Sequence, residues 1–156
     1  MDWYIKPKDY LDINSEIDKH LFNLHRTDCI TRYSYPMNIR AIRGATQVAT
    51  NDAISIGEGS KELLSAILRA NELAITDVIS VFLTSTADLN AAFPASAARE
   101  IGFQSVPLLC AQEIDVPGAL PRTIRVMLHC TTKRSPLEIE HIYLHGAAVL
   151  RKDLAQ

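Results

Sequence analysis

Cysteine is scarce in this chain, and its three copies, Cys29, Cys110 and Cys130, are an odd number with no paired spacing. That excludes a disulfide framework and fits a reducing cytoplasm. No CxxC, HExxH or GxGxxG occurs, so the common zinc, thiol-redox and dinucleotide signatures are absent and no cofactor is implied. The formal net charge is only −2. No broad basic surface is available to nucleic acid or an anionic membrane, and an anion site must be a local cluster of arginines. No apolar run reaches the roughly 20 residues of a membrane helix. Met1 to Asp9 lack the apolar segment of a signal peptide. There is no internal repeat and no low-complexity tract. What remains is 156 residues, 47% hydrophobic and 22% charged, enough for one folded domain with a real core.

The stretch that organises this domain runs from Val106 to Met127. An apolar run, Leu108-Leu109-Cys110-Ala111, leads to Glu113, and Pro117-Gly118 turns the chain. A second apolar run then carries Arg125 between Ile124 and Val126. The pattern predicts a β-hairpin, roughly Val106–Glu113 with Thr123–Thr132. An arginine inside a strand is rarely buried without a partner. Two readings follow: a structural pair between Arg125 and Glu113, or a site that receives an anion.

Around this hairpin the periodicity predicts a strand from Ile39 to Val48, with Arg43 inside it. A helix sets in weakly across Asn51 to Ser60, where Gly57 and Gly59 lie. It strengthens through Leu63, Leu64, Ile67 and Leu68 and ends near Asn71. Val78–Ser85 reads as a strand whose near-continuous apolar character suggests burial on both faces. Pro94 starts a short helix that Gly102 ends. Pro136 begins a helical turn, and Tyr143 lies in a last strand. The order strand, helix, strand, helix, hairpin predicts an α+β fold, a mixed sheet with helices packed on one face. Residues 1–36 differ: they hold most of the aromatics and a loose amphipathic pattern near Ser15 to His25. They form an extension of unknown role, and Met37 itself looks like a start, so the domain spans 37–156.

Four stretches in order resemble the monofunctional trimeric chorismate mutases of the Bacillus type, over about Met37 to Leu154. They are Arg40-Ala41-Ile42-Arg43-Gly44-Ala45-Thr46, Asp88-Leu89-Asn90-Ala91-Ala92-Phe93-Pro94-Ala95, the hairpin, and His141-Ile142-Tyr143-Leu144 with Val149-Leu150-Arg151. The resemblance implies a trimeric pseudo-α/β-barrel with sheets facing inward and active sites at the subunit clefts. It implies the rearrangement of chorismate to prephenate in phenylalanine and tyrosine biosynthesis, with chorismate and further copies of the chain as partners. That reaction needs no cofactor and no external proton. It needs a held reactive conformer and stabilisation of charge growing on the ether oxygen, which suits arginines in a dry pocket.

By resemblance, Arg125 donates to the ether oxygen and a carboxylate, and Glu113 accepts from the ring hydroxyl. Arg43 pairs with a substrate carboxylate, and Tyr143 donates its hydroxyl or packs at the mouth. Leu109, Cys110, Ala111 and Gln112 line the pocket. Phe93, Arg99, Leu150 and Arg151 close it, partly from the neighbouring subunit. Ser96 stands where family members often carry lysine, which removes one cation on the entry side. Asp88 reads as a turn or cap residue. Two other functions compete. Cys110 could be a nucleophile served by His129 or His141, although an apolar strand cysteine is usually inert core. A carboxylate-binding or imine-deaminase-like trimer would use an arginine without needing Glu113 beside it.

Overall fold

In a computed structural model of the chain, the described residues are 37–151. The helix expected near Ser15 to His25 lies outside them, as does the extension as a whole. Five strands and two α-helices form the domain: β1 (Asn38–Gln47), α1 (Ala53–Ala70), β2 (Val78–Ser85), α2 (Pro94–Glu100), β3 (Leu108–Gln112), β4 (Thr123–Thr132) and β5 (Ile142–Leu144). A 3-10 segment, His145–Arg151, follows β5. The strands make one mixed sheet in the order β3-β2-β4-β1-β5. β4 is antiparallel to both β1 and β2, while β3 joins β2 and β5 joins β1 in parallel.

This order corrects the expected hairpin. β3 and β4 are consecutive but not paired, because β2 lies between them. Their separation is therefore two strand spacings, about 10 Å. The segment 113–122, with its Pro117-Gly118 turn, crosses the end of β2 instead of closing a hairpin. α2, between β2 and β3, supplies the crossover that a parallel pair requires.

Both α-helices cover the same sheet face. Leu63, Leu64 and Ile67 of α1 and Ala95 and Ala98 of α2 pack on Ile42, Leu83, Val126 and Leu128. The start of α1 is firmer than its glycines suggest. Asp52 caps it, its Oδ1 accepting from the Ser55 N–H at 2.8 Å. The Thr50 hydroxyl and that amide hold the Asp52 carboxyl down at about 2. Gly59 permits close approach, since a Cβ there would lie 2.5 Å from Val48 Cγ1. Beyond α2, Gly102 takes φ +111°, a left-handed turn that glycine adopts without strain.

Among the described residues, the opposite face carries no α-helix. β2 departs here from the expected burial on both sides. Val81 and Leu83 are buried, but Phe82 is 44% exposed, and Ile79, at a bulge in the β2–β4 register, is 41% exposed. Continuous apolar sequence thus serves two different surfaces of one strand.

Candidate active site

The open sheet face is built in rows by strand register. One row runs Arg43, Met127, Phe82, Leu109 across β1, β4, β2 and β3. The next runs Tyr143, Ala45, Arg125, Thr84, Ala111 from β5 to β3. Side chains in one row point to one side of the sheet. A small residue, Ala45, thus stands between Tyr143 and Arg125.

These rows frame a cleft of about 420 Å³. Arg43, Phe82, Thr84, Arg125, Met127 and Tyr143 line it from the strands, and Leu150 and Arg151 from the 3-10 segment. Three guanidiniums on an otherwise largely apolar lining make it a receptor for an anion. Guanidinium stays charged at any working pH and presents donors in a fixed fork.

Arg125 is anchored on its other side. Its Nη1 makes a short ion pair with Glu113 Oε2. Glu113 Oε1 accepts from the Thr84 hydroxyl at 2.6 Å, and the Glu113 N–H donates to the Ser85 carbonyl at 2.9 Å. Glu113 is the more enclosed partner, with 13% of its side chain exposed against 38% for Arg125. The two readings of this pair are therefore not exclusive. The pair is structural, and it also fixes one edge of the guanidinium while leaving other donors toward the cleft. Glu113 itself lines a neighbouring hollow of about 360 Å³, formed by Asp88 and the 113–121 loop, which Arg125 also borders.

Of the residues singled out in the sequence, the structure brings Arg43, Arg125, Tyr143, Leu150 and Arg151 together, with Glu113 behind Arg125. It does not bring the β3 residues there. Leu109 and Ala111 share the open face but lie beyond β2, outside the cleft lining, and Gln112 is exposed at the strand end. Cys110 packs against the helix-side core, and no histidine contact to it is present among the described residues, so the nucleophile reading has no geometric support. Phe93 is 74% exposed beside α2, and Ser96 and Arg99 are exposed on that helix. None of the three lines the cleft within one chain. Asp88 does serve the turn: its Oδ2 accepts from the Arg122 N–H at 2.8 Å.

Thr84, Phe82 and Met127 were missed. Alternation along β2 would have placed Phe82 and Thr84 outward, but their partners follow only from the sheet order. Among the described residues no group of three His, Cys, Asp or Glu side chains could hold a metal ion, and no helix is long and apolar enough to cross a membrane.

The family described as chorismate mutase type I matches residues 39–154. The chain belongs to the type I chorismate mutase family. Among relatives of this family, the chorismate mutase AroH of Bacillus subtilis is 44% identical over 120 residues, covering 76% of this chain and 94% of the relative. The AroH of Thermus thermophilus is 44% identical over 117 residues, covering 74% and 96%. A solved chorismate mutase structure from Clostridium thermocellum superposes with a TM-score of 0.70 at 48% identity, covering 70% of this chain and 98% of that one. The imine-deaminase-like alternative is thereby disfavoured.

Proposed function

We propose that this chain is an isomerase that converts chorismate to prephenate, on the route to phenylalanine and tyrosine, with the cleft on its open sheet face as half of the active site. The observation that carries this reading is the pairing of Arg125 with an enclosed Glu113 at the edge of a cleft that also holds Arg43 and Tyr143. The substrate is a dicarboxylate with an allylic ether and a ring hydroxyl. Arg43 takes one carboxylate. Arg125, held by Glu113 and Thr84, donates to the ether oxygen, where charge develops as the C–O bond breaks. Glu113 accepts from the ring hydroxyl through lone pairs that Arg125 and Thr84 leave unused. Tyr143 closes the rim. No proton is transferred and no covalent intermediate forms, so rate comes from conformer selection and preorganised charge.

The same face supports a homotrimer. Met127, Phe82 and Leu109, neighbours in one register row, are 36%, 44% and 55% exposed in one chain, and such contiguous apolar surface on a sheet needs a cover. Assembly of three sheets facing inward covers it. It also lets Leu109 to Gln112, Phe93 and Arg99 of one subunit complete the cleft of the next. The test is to mix purified protein with chorismate, follow the loss of its absorbance and identify the isomeric product by NMR. Light scattering on the same sample is expected to give three chains. No turnover, or full turnover by a stable monomer, refutes the respective part.

A further inference from the structure

His141 is a titratable side chain that the mechanism above does not use, and it touches the backbone of a residue that the mechanism does use. The Arg43 N–H donates to His141 Nδ1 at 3.1 Å. β5 is only three residues long, and its parallel register with β1 starts one position later, at Gly44 opposite Ile142. The imidazole therefore supplies the first link between the two strands, where no backbone partner is in register. Arg43 and Tyr143, which flank that link, both line the cleft.

We propose that His141 is a positioning residue, whose neutral ring ties β1 to the start of β5 and thereby sets the Arg43 guanidinium and the Tyr143 hydroxyl relative to each other. This rests on Arg43 being a carboxylate ligand. For Nδ1 to accept, it must be unprotonated, so the proton sits on Nε2. The surroundings favour that state. Partial burial, and then the cations Arg43 of β1 and Arg151 of the 3-10 segment, push the His141 pKa below its ordinary value. From the end of α1 the neighbour is the uncharged Asn71 amide, bonded to the Glu140 backbone on both sides. As pH falls through the depressed pKa, the ring gains a proton, Nδ1 ceases to accept, and a further positive charge appears beside Arg43. The link is thus present at neutral pH and lost on the acid side.

Asparagine tests this cleanly, because its Oδ1 stands the same number of bonds from the backbone as Nδ1 and does not titrate. His141→Ala is expected to raise KM for chorismate about five- to tenfold, the size of one hydrogen bond, with kcat little changed. His141→Asn is expected to restore KM. Wild-type KM should climb as pH falls through the depressed His141 pKa, on the acid side of the ordinary histidine range, and that of His141→Asn should not climb. In wild type at pH 7.5, 15N NMR should show His141 Nδ1 unprotonated. A folded His141→Ala with wild-type KM overturns the proposal. So does His141→Asn behaving like His141→Ala, since the ring's bulk would then be what matters. If His141→Ala does not fold, identical acid-side profiles for wild type and His141→Asn overturn it. A wild type that does not turn over chorismate refutes the proposed function instead, and the Nδ1 resonance then still decides the link: a protonated Nδ1 overturns it.

Discussion

The two faces of the sheet are made from the same strands, alternate residues going to each, yet they obey different rules. On the helix-covered face Ile42, Leu83, Ile124 and Leu128 are fully buried, and the contacts are apolar and interlocked. On the open face, one residue along each strand, stand Arg43, Phe82, Thr84, Arg125 and Met127, partly exposed and mixing charge with apolar surface. One face accounts for the existence of the domain. The other holds a charged constellation that the first keeps rigid. Strand alternation separates stability from chemistry by a single peptide unit, as between Leu83 and Thr84.

That separation can be broken experimentally. The largest effect should come from Leu83→Ala, which empties a site in the closed face. It is expected to cost ~2–5 kcal/mol of stability, read from the denaturation midpoint, while kcat of the folded protein stays within a few-fold. Arg125→Ala on the open face should do the reverse. Removing one donor aimed at developing charge costs ~3–4 kcal/mol in the transition state, about 10²–10³-fold in kcat. Stability should fall by ~1–3 kcal/mol, because the enclosed Glu113 carboxylate loses its charge partner and keeps only the Thr84 hydroxyl. Arg125→Lys should recover only part, since it keeps charge but loses the fork. If Arg125→Ala unfolds the protein and leaves kcat intact, the contrast between faces is inverted. Thr84→Val is smaller and sharper. It keeps the shape, removes the hydrogen bond to Glu113, and should lower kcat/KM about tenfold with little change in melting temperature. The smallest effect is expected for a chain that starts at Met37. Every residue invoked lies after that point, so activity should stay within a few-fold, and a folded but inactive truncation would place part of the site in residues 1–36.

Much of this was legible in the sequence, and the failures have a common cause. β1, α1, β2, α2 and β4 follow from periodicity, from Pro94 and from Gly102, because those signals are local. Arg125 stands out because a charge inside an apolar strand is locally anomalous, and Glu113 as the carboxylate it could pair with, while the roles of Arg43 and Tyr143 came from likeness to the family. The hairpin failed because Pro117-Gly118 signals a reversal but not where the returning strand docks. Only the insertion of β2, fixed by long-range packing, says that β3 and β4 are not neighbours. The same gap hid Thr84, whose importance comes wholly from lying between Glu113 and Arg125. Leu109 to Gln112 were assigned to the pocket by likeness, and within one chain they stand a strand away from it.

The pairing of β1 with β4 also governs how the molecule comes into being. It joins Asn38 to Thr132, 132 − 38 = 94 positions apart, at the centre of the sheet. Contacts that close so long a loop form slowly and late. At a synthesis rate of roughly 5–20 residues per second, β1 waits several seconds on the ribosome before its partner emerges. Throughout that interval Ile39 and Ile42 belong to an unpaired, aggregation-prone strand, and Arg43 has no cleft to enter. The cleft therefore cannot form before β4, which brings Arg125, and it is complete only once Tyr143 and Arg151 have followed.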